Sequence, residues 1–70
     1  MKLSETKIRQ KVILTSIDLP EDKQIQLAEI GITSGCKACP LMKLKNNLMV
    51  DIEGCCLVLS DEITNYIEVE

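Results

Sequence analysis

Seventy residues suffice for one domain, residues 1–70, and leave no room for a second, because compact domains rarely fall below roughly 50 residues. Apolar residues make up 46% of the chain and charged ones 27%, which argues against disorder; with Tyr66 as the single aromatic, the core has to be aliphatic and the net stability modest, roughly 3 to 5 kcal/mol. Eleven acidic against eight basic residues, a net charge of −3 and no histidine exclude nucleic acid as a partner and remove the usual general base near neutral pH.

Lys11 to Ile17 is rich in β-branched side chains and predicts a first strand. Asp18-Leu19-Pro20-Glu21-Asp22 starts a helix, with Asp18 or Leu19 as the cap, Pro20 near the first turn and acids where the helix dipole favours them. That helix runs from about Pro20 to Ile30; Gly31 supplies the left-handed residue that ends it, and Ile32 packs back on Leu27. Thr33-Ser34-Gly35 is turn chemistry, and Cys36 to Leu44, interrupted by Pro40, predicts an irregular edge strand. Lys45-Asn46-Asn47 marks a hairpin turn. Beyond it Leu48, Val50 and Ile52 alternate with Met49, Asp51 and Glu53, the period of a strand with one buried face. Gly54 turns the chain again, Cys56 to Leu59 returns with Leu57 and Leu59 inward, Ser60-Asp61-Glu62 caps a short helical turn, and Tyr66 to Val69 is the last strand. An open sheet of this size cannot bury both faces, so the expected fold is mainly β with one short helix, closed as a small β-barrel.

The start of the chain carries charge without the apolar stretch of a signal peptide, and no run approaches the roughly 18 apolar residues that span a bilayer. A cytoplasmic location without membrane insertion is expected, and there Cys36, Cys39, Cys55 and Cys56 are thiols or metal ligands rather than disulfides. Cys36-Lys37-Ala38-Cys39 is a Cys-x-x-Cys. A hairpin turn at Asn46-Asn47 puts Cys39 opposite Gly54 and Cys36 opposite Leu57, which brings both cysteine clusters toward one tetrahedral zinc or iron site. Adjacent cysteines on a strand point to opposite faces, so Cys55 and Cys56 serve one metal only if the turn at Gly54 distorts them. Reduced thiols used for packing are the plainer reading, and a redox pair the least favoured. Asp51, Glu53, Asp61, Glu62, Glu68 and Glu70 offer oxygen ligands for ferrous iron, but outward charges on strands are ordinarily solvated. There is no nucleophile paired with a base, no phosphate loop and no carboxylate pair in an identifiable cleft, so neither an enzyme nor a required cofactor is expected.

The order of landmarks is Leu3 in an opening segment, a strand, Leu27-Ala28-Glu29-Ile30-Gly31-Ile32-Thr33-Ser34-Gly35, Val50-Asp51-Ile52-Glu53-Gly54, Leu57-Val58-Leu59 and Ile67-Glu68-Val69. In register from end to end, it resembles the FeoA family. The resemblance implies an SH3-like barrel and a small cytosolic protein associated with the FeoB transporter of bacterial ferrous iron uptake. The same barrel is similar to the C-terminal domain of the diphtheria toxin repressor family, where it follows a DNA-binding region that these 70 residues do not include. The family's glycines in the opening segment are replaced here around Arg9 and Val12, and Gln24 and Gln26 stand where arginine is common. The resemblance thus implies a non-catalytic accessory or regulatory protein that binds the cytosolic part of FeoB or an associated protein. Leu41, Met42 and Leu44 on the expected edge strand are the candidate docking residues, and unpaired strand edges leave self-association open. The alternative is a small zinc- or iron-binding sensor or carrier built on Cys36, Cys39, Cys55 and Cys56.

Overall fold

The β-branched run after Lys11 forms β1, Val12–Ile17, in a computed structural model that describes all residues from Met1 to Glu70. A 3-10 turn at Leu3–Glu5 precedes it, and α1 (Glu21–Glu29), β2 (Lys37–Leu44), β3 (Asn47–Ile52), β4 (Cys55–Ser60), the single turn α2 (Asp61–Thr64) and β5 (Ile67–Val69) follow. Every strand pair is antiparallel and the sheet order is β4-β3-β2-β1-β5. The class is the expected one, mainly β with one short helix. No helix is long and apolar enough to cross a membrane.

Strict alternation in β3 turns Leu48, Val50 and Ile52 to one side, where they join Val12, Leu14, Ala38, Leu59, Ile67 and Val69 in a single cluster. Leu3 and Ile32 close it and are fully buried. The core is aliphatic, as the lack of Phe and Trp requires, and Tyr66 stays at the surface.

α1 ends as its sequence dictates. Gly31 takes φ 91, its N–H donates to the Ala28 carbonyl at 3.0 Å, and the Ile32 N–H reaches the Leu27 carbonyl at 2.8 Å. These are the two bonds of a Schellman stop, and they bury Leu27 and Ile32 together. The start of the helix differs from expectation. Pro20 is the cap, with no side chain capping it, because the Asp18 N–H is committed to the Tyr66 carbonyl at 2.7 Å, which holds Asp18 at the end of the β1–β5 pairing.

Three further expectations are corrected. β2 is interior, between β1 and β3, rather than an edge. The bond from Glu53 N–H to the Lys37 carbonyl sets which β2 residues bond to β3, so the Pro40 nitrogen faces the other way. There β1 pairs only as far as Val12↔Ala38, and the Pro40 carbonyl takes the Arg9 N–H at 2.7 Å instead. A proline is therefore tolerated inside the sheet because no β1 carbonyl waits for its missing donor. Arg9 itself adopts φ 74, a left-handed conformation that glycine takes at less cost.

The second correction is the register. The first hairpin turns at Lys45-Asn46, with Leu44 paired to Asn47, and a bulge between Pro40 and Met42 absorbs Leu41. Cys39 consequently faces Asp51 and not Gly54. The third is closure. β4 and β5 end the sheet without pairing, and the N-terminus protects β5: the Val69 N–H donates to the Met1 carbonyl at 2.7 Å, Lys2 bridges Glu68, and the terminal amine lies 3.5 Å from the Glu68 carboxylate. β4 keeps its outer edge.

Candidate functional site

The register that separates the cysteines assembles an apolar surface. Pairings Met42↔Met49 and Met49↔Val58 set three apolar side chains in a row across β2, β3 and β4, on the face opposite Leu48, Val50 and Ile52. Met42 is 51% exposed and Val58 53%. Leu44, paired with Asn47, extends the surface by one row, and Leu41 lies half-buried at the bulge. Leu41, Leu44 and Met49 do not pack on the core, unlike the half-buried Leu57 of β4. Exposed apolar groups in contact with one another mark a contact surface, whereas isolated ones do not.

Of the docking residues expected from sequence, Met42 and Leu44 thus share a face and Leu41 borders it. Met49 and Val58 were not among them. Their signal was present: each is an apolar residue at the outward position of an alternating strand, Met49 between Leu48 and Val50, Val58 between Leu57 and Leu59.

The four thiols are free and not gathered. Cys36 packs against the core, with its sulfur 3.4 Å from both the Thr33 hydroxyl and the Gly31 carbonyl. Cys39 and Cys56 flank Asp51 from β2 and β4, on the outer face, while Cys55 pairs with Ile52 at the exposed end of β4. No three Cys, Asp or Glu side chains converge as metal ligands do, so the donors do not fit a four-thiolate centre. Several of the acids are already engaged. Asp51 Oδ1 accepts the Gly54 N–H at 2.8 Å and Glu53 Oε2 the Lys37 N–H at 2.9 Å, tying down the second hairpin, whose turn residues Glu53 and Gly54 stand at φ 52 and 89 as a two-residue hairpin turn demands. Asp61 pairs with Lys43 at 3.0 Å.

A recess of about 720 Å³ opens between the starts of β1 and β2 and the second hairpin, where Lys11 and Lys37 stand among Asp51, Glu53 and Glu70. Cys39 is its one thiol, and a chain without histidine offers it no imidazole base.

The family model described as the FeoA domain matches residues 1–70. The chain belongs to the FeoA family. Its fold is shared by the solution structure of the FeoA protein from Chlorobium tepidum, at a TM-score of 0.90 and 26% identity, over 100% of this chain and 69% of that one. A crystal structure described as the iron uptake regulatory protein FeoA gives 0.90 at 18% identity, over 100% and 95%. The solution structure of iron(II) transport protein A from Clostridium thermocellum also gives 0.90 at 18%, covering 44% of that longer chain. Among curated proteins, no sequence matches. The FeoA-family likeness makes the fold SH3-like, with the sheet left open at β4.

Proposed function

We propose that this chain is a non-catalytic accessory of ferrous iron uptake, and that it binds the cytosolic part of a FeoB-type transporter through the outer face of β2, β3 and β4. Membership of the FeoA family ties it to ferrous iron transport. The observation that carries the binding reading is the row Met42, Met49 and Val58, exposed at Met42 and Val58 and half-buried at Met49, with half-buried Leu44 beside it, a flexible apolar surface of the kind that accommodates a partner protein. The non-catalytic reading is supported by a recess whose one thiol, Cys39, has no imidazole beside it. The cytosol is the compartment in which free thiols and a transporter's intracellular domain coexist.

The test is the affinity of the purified chain for the transporter's isolated cytosolic part, by calorimetry. Met42→Ser combined with Met49→Ser is expected to weaken binding at least tenfold while leaving the thermal melt in place, because both side chains lie outside the core cluster. Unchanged affinity in a folded double variant would refute the surface assignment.

A further inference from the structure

The parity of the β3–β4 ladder determines what the outer edge of β4 offers. Ile52 pairs with Cys55 across the two-residue turn, and at the far end the Asp61 N–H donates to the Asn46 carbonyl at 2.9 Å. Both bonds fall on the same alternate set, so Leu57 and Leu59 turn their backbone groups toward β3, while Cys56, Val58 and Ser60 turn theirs outward. No loop bonds to Cys56 or Val58, and Ser60, the N-cap of α2, gives its carbonyl to the first bond of that turn. β5, the other end of the sheet, is covered by Met1 and Lys2. β4 has no such cover. It also lacks the usual protections of an edge, with no Lys, Pro, Gly or bulge between Cys55 and Ser60.

Cys56-Leu57-Val58-Leu59-Ser60 reads nearly the same in size and polarity in both directions: small, Leu, Val, Leu, small. An antiparallel pair related by a two-fold axis matches each residue with its mirror position in the same sequence. We propose that β4 pairs with β4 of a second copy about a two-fold axis at Val58. In that register Val58 faces Val58, Leu57 faces Leu59, and Cys56 faces Ser60 of the second copy. The outward N–H and C=O groups of Cys56 and Val58 and the Ser60 N–H then find partners across the axis, whereas a two-fold axis at Leu57 leaves Ser60 beyond the ladder, facing Gly54. The ladder places no charged side chain opposite another. On the outer face the row Met42, Met49, Val58 continues into Val58, Met49 and Met42 of the second copy, so the sheet runs unbroken through both chains.

A single-edge contact is smaller than the roughly 1,200 Å² at which standard interfaces begin, so the association is a concentration-dependent equilibrium. It is read in the isolated chain and does not rest on the transporter reading. Under reducing conditions, sedimentation velocity over rising concentration should move from monomer toward dimer. Amide exchange followed by NMR should show the Cys56, Val58 and Ser60 N–H groups slowing over the same range. Val58→Lys, which sets two like charges opposite each other at the axis, should raise the dissociation constant at least tenfold; Val58→Thr, uncharged and β-branched, should leave it within a few-fold. A chain that stays monomeric throughout, or a dimer whose three edge amides exchange as fast as in the monomer, would overturn the proposal. Protection that arises only on adding the transporter's cytosolic part would assign the edge to that partner and also overturn self-pairing. Should Val58→Lys fail to fold, the amide result on the unaltered chain decides alone.

Discussion

The meander of β2, β3 and β4 and the helix α1 are held to the same core by different means. The meander is bound by two ladders, one of them bulged at Leu41, and contributes Ala38, Leu48, Val50, Ile52 and Leu59 to the core cluster. α1 contributes Leu27 alone, with Ile32 just beyond its end, and leaves Ile25 and Ile30 more than half exposed. The helix is fastened at its C-terminal stop, and the meander along its whole length. Exposed apolar residues therefore mean different things in the two places. On α1 they are the remainder of a short helix with little to pack against; on the meander Met42, Met49 and Val58 stand in one row across three paired strands.

This contrast can be broken in order of expected effect. Ile52→Ala removes a side chain that is 3% exposed and should cost about 2 to 5 kcal/mol, most of the stability of so small a domain; chemical denaturation measures it. Gly31→Ala should cost about 1 to 2 kcal/mol. An added Cβ there meets nothing within 4 Å, so the cost lies in the left-handed backbone, and amide exchange should show it as fraying confined to α1. Thr64→Val should act in the opposite sense. Its hydroxyl is buried without a hydrogen-bond partner, and replacing it with a methyl group of like shape should raise stability by about 1 kcal/mol. Ile25→Ala, at a position 52% exposed, should change stability by no more than about 0.5 kcal/mol. A loss at Ile25 as large as that at Ile52 would mean that the helix is not the loosely held part.

What could be read from the sequence followed the same division. The stop of α1 was legible because glycine takes the left-handed position at Gly31 at the least cost, and the buried face of β3 was legible from the alternation Leu48, Val50, Ile52. The pairing of β2 was not. Moving a two-residue turn by one residue shifts every partner by two, and the bulge at Leu41 shifts it by one more, so Cys39 meets Asp51, three residues short of Gly54. That displacement is what keeps the cysteines apart. Pro40 suggested an edge because nothing in the sequence says which way its nitrogen faces. The candidate surface was half legible for the same reason: Met42 and Leu44 stood out as apolar residues on a strand with an outward side, but Met49 and Val58 join them only through the register.

The most direct test is a titration of the isotope-labelled chain with the unlabelled cytosolic part of the transporter, followed by NMR. The expected result is perturbation or broadening at Met42, Leu44, Met49 and Val58 with Ile25 and Ile30 unmoved. Perturbation centred on α1, with the meander face silent, would contradict the docking surface proposed for this chain.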